Sequence, residues 1–157
     1  MEREALIKAM KRSISEVLEK MFFLPVDFAD ATNKDELWKS GSGQILVTQL
    51  NFKGPFSGCF HFFIPEELTR SLAASFLGED EGSVNRAHVT ETVKEIVNMI
   101  AGNTFSLFDD HKIFDLGIPE MVDFGTVQKS HSGSEDEIFI AVNTIDSCLA
   151  VQLGSSS

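Results

Sequence analysis

A carboxylate and a carboxamide, Glu95 and Asn98, stand three residues apart in a segment with the pattern of an amphipathic helix. At 3.6 residues per turn, the two side chains fall on one face, about one turn apart. A carboxylate accepts hydrogen bonds and pairs with cations, whereas a carboxamide donates and accepts hydrogen bonds while remaining neutral. This face is therefore suited to meeting the polar groups of another molecule.

The outward band of this predicted helix also contains Glu91 and Gly102, and it is about 60° wide. Its opposite face is apolar and is formed by Val89, Val93, Ile96, Val97, Ile100, Leu107 and Phe108. A glycine within an exposed helix costs about 1 kcal/mol relative to alanine. Close approach of another molecule is one reason for a glycine at position 102. Tight packing of another element of the same fold, or of a second subunit, is the alternative.

The charge balance argues against nucleic acids and anionic membranes as partners. The 157 residues include 13 basic and 24 acidic side chains, which gives a net charge of −11. Nucleic-acid backbones and anionic membrane surfaces are bound through clustered Lys and Arg, so neither is an expected partner. The sequence begins without the pattern of a secretion signal, and it contains no apolar run of the roughly 20 residues that span a bilayer. We expect a cytoplasmic protein.

The cysteines and histidines give no metal-binding pattern. Cys59 and Cys148 lie in strand-like segments without Cys-x-x-Cys spacing, which is typical of reduced, buried thiols. The four histidines also lack the spacing of a ligand pair. We expect no metal site on this chain.

The order of apolar patterns predicts an α+β fold. Residues 3–23 have the spacing of an amphipathic helix whose apolar stripe is formed by Leu6, Met10, Ile14, Val17 and Met21. Residues 44–52 and 56–64 are predicted as two strands joined by a turn at Lys53-Gly54-Pro55. A short helix is expected from Pro65 to about Leu77, followed by the long helix over 89–108 and by strands over 121–128, 137–144 and 148–153. This order predicts a mostly antiparallel sheet with two long helices and one short helix on one face. We expect one domain over residues 1–154 and a disordered tail over 155–157.

The two halves of the chain resemble each other loosely. Ser15, Glu19 and Phe22 in the first helix align with Glu91, Glu95 and Asn98 in the second, at an offset of 95 − 19 = 76 residues. In both helices this band lies opposite an apolar stripe. The alignment indicates an internal pseudo-repeat in which the first copy has a phenyl ring in place of the carboxamide.

Taken together, these features resemble the CheX/CheC chemotaxis phosphatases. The resemblance covers nearly the whole chain and depends on the first helix, the hairpin, Glu95-x-x-Asn98 with Ala101-Gly102, and Gly117-Ile118-Pro119. The family signature has Asp or Ser where this chain has Glu91, and Pro119 follows Asn98 by 21 residues, slightly closer than usual. Because Phe22 replaces the first carboxamide, the chain resembles the single-site CheX type, with Ser15, Glu19 and Phe22 as a degenerate first pseudo-site.

The resemblance implies a phosphatase for the aspartyl phosphate of a CheY-like receiver domain. Asn98 would orient the attacking water, and Glu95 would pair with the lysine of the receiver's active site. Glu91, Met99 and Gly102 are possible receiver contacts, the magnesium ion would belong to the receiver, and the protein would be a homodimer.

Two alternatives use the same residues. An exposed Glu-x-x-Asn pair on a helix is in most proteins simply solvated surface. The chain is alternatively a receiver-binding or adaptor module that uses the same helix without hydrolysis.

Overall fold

One antiparallel sheet with helices on one face makes up the part of the chain that the structure, a computed structural model, describes. The described residues are 2–30, 37–38, 44–109, 111–125, 127 and 137–156. This architecture confirms the predicted fold class. Among these residues, no helix is long and apolar enough to cross a membrane.

The sheet has seven strands, and every pairing between them is antiparallel. Their order across the sheet is β1-β6-β7-β3-β2-β4, with β5 also pairing with β2. The strands are β1 (Asp27–Ala29), β2 (Ile45–Lys53), β3 (Ser57–Pro65), β4 (Asp115–Leu116), β5 (Glu120–Val122), β6 (Glu137–Asn143) and β7 (Cys148–Ser156).

This strand order carries the internal repeat. The strands β1-β6-β7-β3-β2-β5 are consecutive neighbours. If β1 is exchanged with β5, β2 with β6 and β3 with β7, the order becomes β5-β2-β3-β7-β6-β1, which is the same order read from the other edge of the sheet. The two hairpins, β2–β3 and β6–β7, therefore meet at the β3–β7 pair, and the outermost strand of each half pairs with the hairpin of the other half. The predicted two-fold pseudo-repeat is present in the sheet.

The first helix departs from its prediction in its last turns. Helix α1 spans Arg3–Ser15, and the chain continues as a π-helix over Glu16–Met21. The i→i+5 bonds of a π-helix place an extra residue in each turn, so the apolar spacing of an α-helix no longer applies there. As a result Met21, predicted to lie in the apolar stripe, is 48% exposed, whereas Phe22 is buried.

The other two helices lie close to their predicted bounds. Helix α2 spans Glu66–Leu77 and ends at Gly78, which has the left-handed conformation (φ 68°) that favours glycine at this position. Helix α3 spans Arg86–Phe108 and therefore begins three residues before its predicted start.

Two apolar clusters cover the two faces of the sheet. The helices pack over the larger cluster, which includes Leu18, Phe60, Ile96 and Ile100. On the opposite face, Trp38 packs with Phe63 in a smaller cluster. The phenylalanines of β3 are thus core residues.

Several predicted boundaries were wrong. The strand expected over 121–128 ends at Val122, and Phe124, Gly125 and Val127 are helical. Ser155 and Ser156, expected in a disordered tail, belong to β7 and pair with Gly58 and Ser57. Thr126 and Gln128 of that expected strand, and Ser157 of the expected tail, lie outside the described residues.

Candidate functional site

Helix α3, which carries Glu95 and Asn98, has a well-defined start. The side chain of Asn85 accepts a hydrogen bond from the backbone N–H of His88 at 2.8 Å. In return, the backbone N–H of Asn85 donates to Nδ1 of His88 at 3.3 Å. Such reciprocal capping satisfies two backbone donors that the first turn otherwise leaves unpaired.

Helix α1 holds α3 near its middle through a buried hydrogen bond. The hydroxyl of Ser13, which is fully buried, donates to the carbonyl oxygen of Ile100 at 2.7 Å. This bond lies two residues beyond Asn98 in the chain and comes from the opposite, core side of the helix. The sequence analysis missed Ser13, although a polar residue three positions after Met10 in the apolar stripe was a visible signal.

A second contact between α1 and α3 is a hydrogen bond from a carboxamide to a carboxylate. The amide Nδ2 of Asn103 donates to Oε2 of Glu16 at 3.0 Å, and Nε of Arg12 donates to Oε1 of the same carboxylate at 3.0 Å. The hydrogen bond from Asn103, followed by that from Arg12, lowers the pKa of Glu16 below its usual value. The carboxamide of Asn103 is therefore committed to holding the helices together.

Glu95 and Asn98 lie on the outer side of the helix that these contacts fix. Glu95 is exposed and Asn98 is half-buried, whereas Ile96 and Val97 between them are buried in the core. Within the described part of the chain, neither the side chain of Glu95 nor that of Asn98 has a hydrogen-bond or ion-pair partner. Their backbone positions are about 4.5 Å apart along the helix axis. The carboxylate and the carboxamide are thus available to an approaching molecule.

The three residues predicted as flanking contacts have different surroundings. Glu91 is exposed one turn before Glu95. Met99 is half-buried and packs against the core, so its side chain is only partly available at the surface. A Cβ on the half-buried Gly102 would meet Cδ1 of Leu116 at 3.9 Å, which is ordinary van der Waals contact. Packing within the described chain therefore does not require a glycine at position 102.

The degenerate first pseudo-site is dispersed. The ring of Phe22 is buried and stacks on Phe76, with ring centroids 5.2 Å apart. The carboxylate of Glu19 accepts a hydrogen bond from the backbone N–H of Val26 at 3.3 Å, and Ser15 is half-buried at the end of α1. The expectation that this band faces outward like the second was wrong at Phe22, because the π-helix turns that residue into the core.

The segment beside α3 contains the proline of the proposed signature. Pro119 is buried immediately before β5. Two residues earlier, the backbone N–H of Gly117 donates to the carbonyl oxygen of Asn51 in β2 at 2.7 Å. This segment is therefore fixed to the sheet next to the helix that carries Glu95 and Asn98.

The fold is shared with solved structures of chemotaxis proteins. A chemotactic CheC-like protein from Shewanella oneidensis MR-1 superposes with a TM-score of 0.74 at 21% identity, over 97% of this chain and 98% of that one. The chemotaxis protein CheX from Vibrio vulnificus gives a TM-score of 0.71 at 20% identity, over 96% of each chain. A chain in the CheX–CheY–BeF3–Mg²⁺ complex from Borrelia burgdorferi gives 0.70 at 19% identity, over 96% of this chain and 97% of that one.

The sequence itself gives the family. No curated protein matches this chain. The family model described as "Chemotaxis phosphatase CheX" matches residues 46–143, which is 98 of the 157 residues and includes both Glu95 and Asn98. The chain belongs to the CheX family of chemotaxis phosphatases.

Proposed function

We propose that this protein hydrolyses the aspartyl phosphate of a CheY-like receiver domain, with Glu95 and Asn98 as its site residues. The observation that carries the proposal is the outward placement of the two side chains, one turn apart on α3. The opposite side of that helix is held by hydrogen bonds to Ser13 and Glu16. Membership of the CheX family supports the reaction class. The likeness to the chain in the CheX–CheY–BeF3–Mg²⁺ complex supports a CheY-like partner.

The reaction needs positioning more than covalent help. Water attacks the phosphorus, the bond between phosphorus and the aspartate oxygen breaks, and the products are an aspartate carboxylate and dihydrogen phosphate. One proton of the water remains on the new P–OH group and the other passes to a phosphoryl oxygen. Because the carboxylate is already a good leaving group, a catalyst gains mainly by holding the water in line.

Asn98 suits that task. Its amide donates one hydrogen bond and accepts another without carrying charge. A carboxylate at the same position would repel the phosphoryl oxygens, whereas the carboxamide does not. Its half-buried position on a fixed helix limits the directions that the amide can take, which is what positioning a water molecule requires.

Glu95 is proposed to dock the helix. Its exposed carboxylate, one turn from Asn98, would pair with the lysine of the receiver's active site, and Glu91 would add a second negative charge in the previous turn. The magnesium ion that accompanies the phosphoryl group would be held by the receiver. No group of three or more metal-ligating side chains is found in the described parts of this chain.

The decisive experiment is phosphate release from a panel of phosphorylated receiver domains, with and without this protein. We expect faster release from at least one receiver, in proportion to the amount of protein added. A receiver that binds without faster release would instead favour the non-catalytic adaptor. Absence of both binding and release across the panel would overturn the proposal.

The oligomeric state and the cellular location remain predictions. We expect a homodimer, and light scattering that gives the mass of one 17.3 kDa chain would contradict it. We also expect a cytoplasmic location, which membership of the CheX family supports.

A further inference from the structure

Three large aliphatic side chains are exposed within one short segment of the chain. Ile113 is 80% exposed, Leu116 36% and Ile118 83%. All three lie between the end of α3 and the start of β5. Exposed apolar side chains are candidates for contact with another molecule where they form a contiguous patch.

The backbone of this segment is held in place. The ring of Phe114 stacks on Phe105 of α3, with centroids 4.0 Å apart and planes 7° apart. Leu116 pairs with Phe52 of β2, and Gly117 donates to the carbonyl oxygen of Asn51 at 2.7 Å. The exposed aliphatic side chains are therefore presented by an ordered backbone, which reduces the entropy lost when a partner covers them.

The segment lies directly beside the candidate site. Cδ1 of Leu116 is 3.9 Å from the position that a Cβ on Gly102 would occupy. Gly102 is one turn, about 6 Å along the axis, from Asn98 on the same face of α3. Ile118 is two residues beyond Leu116, so their Cα atoms are at most about 7 Å apart.

These distances make the segment part of any interface centred on Asn98. A stable protein–protein interface buries about 800 Å² on each partner, which corresponds to a disc of about 16 Å radius. A folded domain that brings a phosphoryl group to Asn98 therefore also covers Gly102 and Leu116. The glycine leaves room for that approach, since only Leu116 lies within 4 Å of a Cβ added there.

We propose that Gly102, Leu116 and Ile118 form an apolar shelf that contacts the receiver domain and selects among receivers by the apolar surface they present beside the phosphorylated aspartate. This inference rests on the proposed function. In this inference the shelf contributes to receiver affinity, and Asn98 acts in the hydrolysis itself. The shelf therefore determines how tightly a receiver binds, and substitutions in it leave turnover at saturation unchanged.

The test uses Ile118→Ser, because Ile118 is exposed and its replacement leaves the core intact. Ile145→Ser is the matched control, since Ile145 is 79% exposed in the turn between β6 and β7. That turn lies at the other end of the sheet. Leu116 is paired with Phe52, Phe52 with Gly58 and Gly58 with Ser155, so Leu116 lies at the Ser155 end of β7 and the turn lies at the Cys148 end. Seven residues of strand separate Cys148 from Ser155, or about 23 Å.

Binding is measured by titrating each variant against receiver domains loaded with beryllofluoride and Mg²⁺, so that the readout does not depend on hydrolysis. We expect the Kd of Ile118→Ser to rise about tenfold, as loss of one buried aliphatic side chain implies. The Kd values of Ile145→Ser and of the conservative Ile118→Leu should stay within about threefold of wild type. In phosphate release, Ile118→Ser should raise KM and leave kcat unchanged.

Each outcome separates the shelf from the catalytic proposal. An Ile118→Ser variant that binds as wild type does, or an Ile145→Ser variant weakened equally, overturns the shelf and leaves the proposed hydrolysis intact. Weakened binding by Ile118→Ser without any release by wild type supports the shelf and overturns the hydrolysis. If wild type binds none of the loaded receivers, the shelf is overturned together with the proposed partner.

Discussion

Asn98 and Asn103 are carboxamides on the same helix, and the fold commits only one of them to its own stability. Asn103 donates from Nδ2 to Oε2 of Glu16 at 3.0 Å and so joins α3 to α1. Asn98, about 140° away around the helix, has no partner among the described residues. The same chemical group is thus structural at one position and available to another molecule at the other.

Removal of the available carboxamide should affect hydrolysis and leave folding intact. We expect Asn98→Ala to slow phosphate release from a phosphorylated receiver roughly 100-fold, the scale of losing one positioned group. Its urea unfolding midpoint should match that of wild type, because the side chain makes no contact that folding depends on. Single-turnover release and urea titration measure the two effects.

Two further variants serve as controls for this prediction. Asn98→Asp keeps the shape of the side chain but adds a charge, and it should be as slow as Asn98→Ala because the new carboxylate repels the phosphoryl oxygens. Asn103→Ala removes a carboxamide from the same helix and should retain hydrolysis at saturating receiver. Wild-type rates in both Asn98 variants would contradict the assignment of Asn98 as the residue that orients water.

The contact between Asn103 and Glu16 predicts a pH dependence of stability. Its hydrogen bond lowers the pKa of Glu16 in the folded chain below the ordinary 4.5. A lowered pKa contributes stability above the unfolded value, and that contribution is lost as the pH falls through the folded pKa. We therefore expect Glu16→Gln to be less stable than wild type at pH 7 and to approach it as the pH falls below 4.5.

Urea titrations of wild type, Glu16→Gln and Asn103→Ala from pH 3 to 7 measure this dependence. The Asn103→Ala variant should show a smaller difference between acidic and neutral pH than wild type, because its Glu16 has lost the hydrogen bond that lowers the pKa most. Parallel pH profiles for all three proteins would show that this contact does not contribute to stability.

The sequence predicted the regular parts of this fold because periodicity dominates there. The β2–β3 hairpin was placed within one residue, since two runs rich in β-branched and aromatic residues flank the Gly-Pro turn. Helix α3 was identified with its outward band in the correct orientation, because it is a continuous α-helix through Glu95 and Asn98. The short edge strands β1 and β4 were missed, since two or three residues carry no readable period.

The first pseudo-site shows why a helical wheel fails where the helix changes type. The wheel placed Phe22 outward at 100° per residue, but the π-helix over Glu16–Met21 rotates it into the core against Phe76. Hydrogen bonds between distant elements were equally invisible to periodicity. The bond from Ser13 to Ile100 depends on how α1 and α3 cross, which no local pattern specifies.

The half-buried thiol of Cys59 predicts loss of stability in alkali. Burial raises the pKa of Cys59 from 9.0 to about 11. A raised pKa gives stability that is complete below the unfolded value and is lost as the pH rises through the folded value. Wild type should therefore lose stability between about pH 9 and 11 through this group, and Cys59→Ala should lose less over the same range. Urea midpoints measured at intervals across that range test the difference. Equal losses in the two proteins would contradict it.

Substitution of Gly102, the glycine beside the candidate site, should change stability and receiver binding in opposite directions. An alanine at position 102 gains helix propensity of about 1 kcal/mol. Its Cβ meets only Cδ1 of Leu116, at an ordinary 3.9 Å. We therefore expect Gly102→Ala to raise the free energy of unfolding while weakening receiver binding, because the methyl group occupies space that the receiver would otherwise enter.

Gly82→Ala provides the control for this substitution. A Cβ there meets no atom within 4 Å, and Gly82 lies in the short 3₁₀-helix before α3, outside the outward band. It should leave receiver affinity unchanged. Packing within the chain accommodates the methyl group at position 102. A Gly102→Ala variant that is more stable but binds more weakly would therefore show that the methyl group clashes with the receiver in the complex. A more stable Gly102→Ala that binds as wild type would show that no partner approaches the helix at this glycine.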